Sequence, residues 1–305
     1  MIFPIIDLIS SSVIPPGLNI ANRPFSMLKM VLSTPMGQGP PSTIASIFPD
    51  KHVRTSSKRV VLNLPEILAE GAAIGLSKRL RGVCHGNDTF VVLGNDGTIL
   101  TSSNSGSDWD NRTSGTTGDL EGGCVYGNSL FVAVGQSSGG GSTSPIITST
   151  DGITWTNRSA ATGANMEGGV TYGNSLFVAV GVGGKMETSN DGISWTERDS
   201  KIPTNAVIYG VSFGKNSFVA LGSGGNLSSS SDGITWTARS GSGVLYGVDY
   251  GNDIFVAVGD GGTIITSSDD GVSWTSRTSG TSNNLYGIAF GNDKFIIVGS
   301  SGTVL

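Results

Sequence analysis

Cysteine and histidine are nearly absent, with two of each in 305 residues. No four-ligand zinc set and no histidine-rich metal cluster can be assembled from so few. There is no Ser-His-Asp spacing and no glycine-rich phosphate loop, so the common nucleophilic and phosphoryl-transfer machineries are not signalled. Charge is sparse, at 13% of residues. No stretch reaches the roughly 20 consecutive apolar residues of a membrane-spanning helix. A secretion signal is not recognised either: no Lys or Arg precedes Arg23, and Pro4 and Asp7 interrupt the first apolar run, whereas a signal needs a basic start and an unbroken apolar core.

Proline is almost missing beyond residue 50. Eight of the eleven prolines are Pro4, Pro15, Pro16, Pro24, Pro35, Pro40, Pro41 and Pro49. Their density blocks long helices and central strands in residues 1–50. The apolar pieces between them, such as Met27-Leu-Lys-Met-Val-Leu32, are too hydrophobic for an ordinary disordered tail. Residues 1–50 therefore read as an extended arm that buries its apolar groups against another protein, with wrapping of the chain's own remainder as the alternative. Residues 51–79 form a basic neck. Asn63 and Glu66 suit the capping box of a short helix. Residues 51–81 carry seven Lys/Arg against Glu66 and Glu70, a net +5, while residues 1–50 are neutral. The total of −5 then leaves −10 on residues 82–305, which argues against non-specific nucleic-acid binding because an acidic surface repels phosphates.

What is abundant is glycine, 47 residues, arranged in a repeat that runs from residue 80 to the end. Leu245 to Arg277 shows the unit most clearly. Four short runs rich in Val, Ile, Phe, Tyr and Trp are separated by Gly-Asn-Asp, Gly-Asp-Gly-Gly and Asp-Asp-Gly. Such runs between turn residues read as strands joined by hairpins. A signature Gly-x-x-aromatic-Gly ends at Gly127, Gly173, Gly214, Gly251 and Gly291, and a sixth copy ending at Gly86 has His85 in the aromatic slot. Each of the five tryptophans, Trp109, Trp155, Trp195, Trp236 and Trp274, is followed three residues later by Arg. Four strands in about 40 residues is the length of a propeller blade. The expected fold is all-β: a six-bladed propeller of four-stranded antiparallel blades over 80–305. The sixth copy stops at Leu305 inside its third strand, so a strand from Arg59-Val-Val-Leu-Asn63 is expected to complete it. Seven blades, or closure by another chain, is the alternative. Cys84 and Cys124 stand one position apart in the repeat frame, hence on opposite strand faces, and are not expected to pair.

The turn before each Trp resembles the Asp-box of the bacterial sialidase repeat. Ser267-Ser-Asp269-Asp-Gly271-Val-Ser273-Trp274 matches it throughout. In the turns before Trp155, Trp195 and Trp236, Asp151, Asp191 and Asp232 stand one place late. Recurrence in every blade marks these residues as structural. The resemblance implies the propeller but not sialidase activity, because the arginine triad of that family is not found. Similar repeats occur in photosystem-assembly propellers and in many phage tail and virion proteins.

The virion resemblance fits the arm, the lack of a signal and the polar repeat domain. It implies a non-enzymatic structural component of a phage-like tail, baseplate or capsid, located in the virion (the alternative is cytoplasmic). Residues 1–50 would dock it to other assembly proteins within a homo- or hetero-oligomer, without a cofactor. A glycan- or receptor-binding module for the host surface is the alternative, and a sialidase-like hydrolase a more distant one. Candidate ligand residues are Tyr209, Tyr246 and Tyr286, which precede the signature in three successive blades, with Arg81 at the same place in the first blade. Asp249, the single charge in the middle of an inner strand, completes the set as a residue lining the channel, with a merely hydrated lone carboxylate as the alternative.

Overall fold

Two-residue hairpins fix the first turn of every repeat. Their tip residues all take positive φ, for example 46° and 59° at Asn174 and Ser175 and 46° and 60° at Asn252 and Asp253. This is the backbone of the tight turns whose twist matches the flanking strands, and Asn, Asp and Ser adopt it more readily than apolar residues. The computed structural model describes residues 78–137 and 144–305. The arm, most of the basic neck with its helix and closing strand, and the middle of the Gly/Ser-rich loop between Gln136 and Pro145 lie outside the described residues.

The strands form a β-propeller of antiparallel sheets. Blade 1 contains β1 (Leu80–Gly86), β2 (Thr89–Gly94), β3 (Ile99–Ser102) and β4 (Asp110–Arg112). Blade 2 contains β5 (Asp119–Gly127), β6 (Leu130–Gln136), β7 (Ile146–Ser149) and β8 (Thr156–Arg158). Blade 3 contains β9 (Gly169–Gly173), β10 (Leu176–Val180), β11 (Lys185–Ser189) and β12 (Thr196–Asp199). Blade 4 contains β13 (Ile208–Gly214), β14 (Ser217–Gly222), β15 (Asn226–Ser230) and β16 (Thr237–Ser240). Blade 5 contains β17 (Leu245–Gly251), β18 (Ile254–Gly259), β19 (Ile264–Ser267) and β20 (Thr275–Arg277). The sixth sheet is β21 (Leu285–Gly291) with β22 (Lys294–Gly299). A bridge from Val304 to Val298 and paired backbone bonds between Leu305 and Ile297, 2.9 and 3.0 Å, begin its third strand. The inner strands contact one another in the series β1, β5, β9, β13, β17, β21.

Apolar clusters fill the seams. Val125, Val134 and Met166 meet Val170, Phe177 and Trp195 between blades 2 and 3. Among the described residues, five consecutive seams carry such a shared cluster, and none joins the sixth sheet to blade 1.

The closing glycine of the signature has a packing cause. A Cβ on Gly173 would lie 2.1 Å from the Phe213 ring, and one on Gly127 2.2 Å from the Tyr172 ring. The aromatic residue of each following blade thus lies directly over the glycine of the blade before it. On its other side it packs on the Phe of its own second strand: ring centroids are 4.6 Å apart for Tyr172–Phe177 and for Phe213–Phe218. His85 takes this place in blade 1, 4.4 Å from Phe90, and burial pushes its pKa down against the raising pull of Asp88. Gly173→Ala is expected to cost about 2–3 kcal/mol through forced overpacking, lowering the melting temperature by roughly 5–10 °C for a domain of this size. Calorimetry showing an unchanged transition would refute this packing.

One sequence expectation is overturned. Cys84 and Cys124 form a disulfide, with Cα atoms 5.6 Å apart. The inference that they occupy opposite strand faces was right, but opposite faces of successive blades look at each other across the seam. Cys84 in β1 faces blade 2, and Cys124 in β5 faces blade 1. The positional offset is what brings them together.

Candidate functional site

The residue before each signature begins an inner strand at the end of the propeller that also carries the turns between second and third strands. In blades 4, 5 and 6 that residue is tyrosine, and the structure brings all three together. The ring centroids of Tyr209 and Tyr246 lie 5.4 Å apart with planes at 60°, and those of Tyr246 and Tyr286 lie 5.2 Å apart at 49°. All three are half-buried. They form a ladder of tilted rings running from blade to blade.

The middle rung is held firmly. The Tyr246 hydroxyl donates to Asp260 Oδ1 at 2.7 Å. Burial, and then the bond to Asp260, push the Tyr246 pKa well above its ordinary value, so it remains a neutral donor. Asp260 opens the turn Asp260–Gly262, which is tied on both sides. Its N–H donates to Val244 O at 2.9 Å, and Gly261 N–H donates to Asn284 Oδ1 at 2.9 Å. Gly262 takes φ 75°, and a Cβ there would lie 2.0 Å from Thr281 O. Only glycine is suited to that corner.

The ladder ends where the backbone leaves no room. Gly122 and Gly168 hold the equivalent places in blades 2 and 3. A Cβ would meet Met166 O at 2.1 Å in the first and Ile208 O at 1.9 Å in the second. Arg81 in blade 1 reproduces the Tyr246–Asp260 pairing in polar form. Its Nε donates to Asn95 Oδ1 at 3.0 Å, Asn95 being the counterpart of Asp260, and its guanidinium lies 3.3 Å from Glu121. Asn95 Nδ2 in turn donates to Asp119 Oδ2 at 3.0 Å. Arg81 belongs to a network that ties blades 1 and 2, and it does not join the tyrosines.

Asp249 is not the hydrated carboxylate expected from its sequence position. It is 1% exposed. Oδ1 accepts from Tyr250 N–H at 2.8 Å and Oδ2 from Phe290 N–H at 2.7 Å. An inner strand has a second strand on one edge only, so its opposite edge presents unpaired N–H groups. Asp249 satisfies one of these on the neighbouring β21 and clamps blade 5 to the sixth sheet.

A second buried carboxylate has no counterpart in the sequence reading. Glu187, in the third strand of blade 3, is 0% exposed. It accepts from Ala161 N–H at 2.9 Å, Thr162 N–H at 2.7 Å and the Thr162 hydroxyl at 2.6 Å. It pins the crossover from blade 2 to blade 3. Its equivalents, each paired with the same position of the second strand, are Leu100, Ile147, Ser228 and Ile265. An acidic residue in that otherwise uncharged column was the available signal.

The turns before the tryptophans are structural throughout. In blade 2, Asp151 Oδ1 accepts from Ile153 N–H and Thr154 N–H, both at 2.8 Å, and Gly152 N–H donates to Ser149 Oγ at 2.8 Å. The Thr154 N–H first, with Ile153 N–H and the Ser149 hydroxyl, holds Asp151 below the usual carboxylate range. Asp191 and Asp232 repeat the arrangement with Ser189 and Ser230. In blade 5 the Ser273 hydroxyl and N–H hold Asp269 down to about 2. Ser149-to-Asp151 and Ser267-to-Asp269 have equal spacing. The aspartate of blades 2 to 4 is therefore not late; their turn is one residue shorter before the glycine. Asn104 performs the same task in blade 1, accepting from Asp108 N–H at 3.0 Å. The indole N–H of Trp155, Trp195, Trp236 and Trp274 donates to the turn glycine carbonyl at 3.0–3.2 Å. The Arg three residues after each Trp is held on the third strand, as in Arg198 Nε to Thr188 Oγ1 at 2.8 Å. These arginines lie on outer strands.

Among the described residues, no group of three His, Cys, Asp or Glu is placed to hold a metal ion, and no helix is long and apolar enough to cross a membrane.

Residues 156–285 match the family model described as the DUF6242 beta propeller domain. No curated protein matches the chain. Many solved structures share the fold, three of them as follows. One, described as YCF48 bound to D1 peptide, is 19% identical with TM-score 0.56, over 74% of this chain and 77% of that one. The computationally designed Ika8 protein is 12% identical with TM-score 0.54, over 73% and 68%. The WD40 beta propeller domain of Doa1 is 13% identical with TM-score 0.53, over 72% and 74%.

Proposed function

We propose that this chain is a non-catalytic recognition propeller whose Tyr209–Tyr246–Tyr286 ladder is the contact surface, and that it serves as a structural, outward-facing component of a phage-like particle anchored through residues 1–50. The observation that carries the recognition reading is the ladder itself. Three half-buried aromatic rings with hydroxyls, held 5.2–5.4 Å apart on adjacent blades, offer apolar area and polar handles at low entropic cost. Propellers commonly bind ligands at a blade end or the central channel, and a chain of similar fold is described as bound to a peptide. The particle setting draws its support from the proline-rich apolar arm and from the repeat resemblance. The Cys84–Cys124 disulfide supports an exposed virion location over the cytoplasm, since disulfides persist in oxidising surroundings. On this reading the strand Arg59–Asn63 completes the sixth blade.

Tyr246→Ala is expected to weaken host-surface adsorption by roughly tenfold or more, the loss of a central aromatic contact. Arg277→Ala, on an outer strand, should leave adsorption unchanged. Adsorption of purified protein to cells, quantified by flow cytometry, measures both. Equal binding by Tyr246→Ala and the unsubstituted protein would remove the ladder from the recognition surface.

A further inference from the structure

We propose that the outer half of blade 5, on the side facing the sixth sheet, is a docking seat for a tryptophan-bearing hairpin turn of another polypeptide, of the form Asp-Gly-x-(Ser/Thr)-Trp. The seat lies at the opposite end of the blades from the tyrosines and does not depend on what they recognise.

The preceding seams show what such a face holds. In each of them the Trp turn of one blade rests on the blade before it. A Cβ on Gly192 or on Gly233 would lie 2.5 Å from Leu130 or Leu176, the first residues of β6 and β10. A Cβ on Gly271 would lie 2.5 Å from Val219 and 3.3 Å from Ser229 of blade 4. The indoles follow the glycines: Trp195 joins the cluster of Val132, Val134 and Ile146, and Trp236 that of Val178, Val180 and Met186. Each indole also faces the Phe of its own second strand, with centroids 6.2–6.5 Å apart in blades 2 to 4.

Blade 5 presents the same face, and among the described residues no turn covers its outer half. Ile264 and Thr266 are half-buried. The residues paired with the same second-strand positions in blades 1 to 4 are buried: Ile99, Ile146, Met186 and Leu227 are 0–1% exposed, and the counterparts of Thr266 are 1–5% exposed. Phe295 of β22 is half-buried too, whereas Phe131, Phe177, Phe218 and Phe255 are 0–1% exposed. A cavity of about 320 Å³ opens on this face, with Ile254, Thr266, Ser268, Ser273 and Thr275 in its wall. Ligand sites run from roughly 300 to 1,000 Å³. Ile254 begins β18 as Leu130 and Leu176 begin β6 and β10, so it is the floor on which a turn glycine would rest. The apolar floor suits an indole, and the surrounding hydroxyls suit the polar turn that carries it.

The occupant is not one of the chain's own tryptophans. Each of the five donates its indole N–H to the glycine carbonyl of its own turn. The Arg59-Val-Val-Leu-Asn63 strand assigned to the sixth blade has no tryptophan to offer. A partner's turn with its aspartate bonded to its own N–H groups arrives already ordered, which keeps the entropic cost of docking low.

The test titrates the full chain with a cyclic peptide of residues 146–158, the third strand, turn and fourth strand of blade 2. Its end residues pair in the fold and are joined to hold the hairpin. Isothermal calorimetry is expected to show saturable one-to-one binding. Replacing Trp155 by Ala in the peptide should weaken binding by roughly tenfold or more, as for a central aromatic anchor. In the chain, Ile254→Asp sets a charge on the floor and should abolish binding, while Ile254→Val should retain it. Hydrogen exchange should place the new protection in β19 and β22. No saturable binding, equal binding by the Trp155→Ala peptide, or indifference to Ile254→Asp would each overturn the inference. If Ile254→Asp fails to fold, the Trp155→Ala peptide on the unsubstituted chain still decides. Sedimentation showing a dimer that Ile254→Asp dissociates would assign the seat to a second copy and overturn the partner reading.

Discussion

Reduction of the Cys84–Cys124 disulfide is expected to destabilise the propeller by about 4 kcal/mol, and to lower its melting temperature by roughly 8–16 °C. The bond closes a loop with a sequence separation of 40. In the chain-entropy model, opening a loop of that length returns about 4 kcal/mol of conformational freedom to the unfolded state. The location directs the effect. The bond joins the inner strands of blades 1 and 2, and blade 1 shares an apolar cluster with no other blade among the described residues. Contacts that remain after reduction include the seam around Leu93, Leu120 and Phe131, the Arg81–Glu121 and Asn95–Asp119 pairs, and the Asp96 and Gly97 N–H bonds to Asp119 Oδ1 and Gly118 O. Blade 1 should therefore exchange its amide protons before the rest. Melting with and without a reductant, alongside a Cys84→Ser/Cys124→Ser variant, measures the total, and hydrogen exchange locates it. Superimposable melting curves in the two conditions would show that the bond contributes no stability.

Glu187→Ala should cost a comparable amount, about 3–4 kcal/mol. The side chain is fully buried and its carboxylate accepts three hydrogen bonds, at 2.6, 2.7 and 2.9 Å. Its removal takes the charged acceptor from the N–H groups of exposed Ala161 and half-buried Thr162, at about 1.5 kcal/mol for each hydrogen bond to a charged group, and it opens a cavity beneath the crossover. Glu187→Gln keeps one acceptor oxygen and nearly the same volume, so it should lose about half as much. Glu187→Leu, which restores the aliphatic character of this column in blades 1, 2 and 5, keeps the volume but not the acceptors, and should fall near the alanine variant. Urea denaturation of the three variants orders them. A leucine variant as stable as the unsubstituted protein would show that the bonds to the crossover are dispensable.

These two cases mark how far the amino-acid order could be read. The strands, the hairpins and the radial stacking were legible because each depends on neighbours within about 40 residues: alternating apolar runs, tip residues that tolerate positive φ, and a recurring Gly-x-x-aromatic-Gly. Repetition multiplies a weak local signal, and the Trp turns with their Arg partners were assigned as structural for that reason. The grouping of Tyr209, Tyr246 and Tyr286 was also visible, since the same repeat position in successive blades must be adjacent in space.

Facts that depend on which face of one blade meets which face of the next were not legible. Cys84 and Cys124 were placed on opposite faces and hence apart, yet radial packing turns opposite faces toward each other. Asp249 read as a solvated channel residue, yet the free edge of the neighbouring β21 supplies the Phe290 N–H at 2.7 Å, beside the Tyr250 N–H of its own strand at 2.8 Å. Glu187 drew no notice, because its partners lie 25 and 26 residues away in a crossover of irregular length. Sequence periodicity by itself determined the blade and its direction of stacking. The tertiary structure alone decided the seam chemistry, because burial and hydrogen-bond satisfaction belong to pairs of blades and are not encoded in any single repeat.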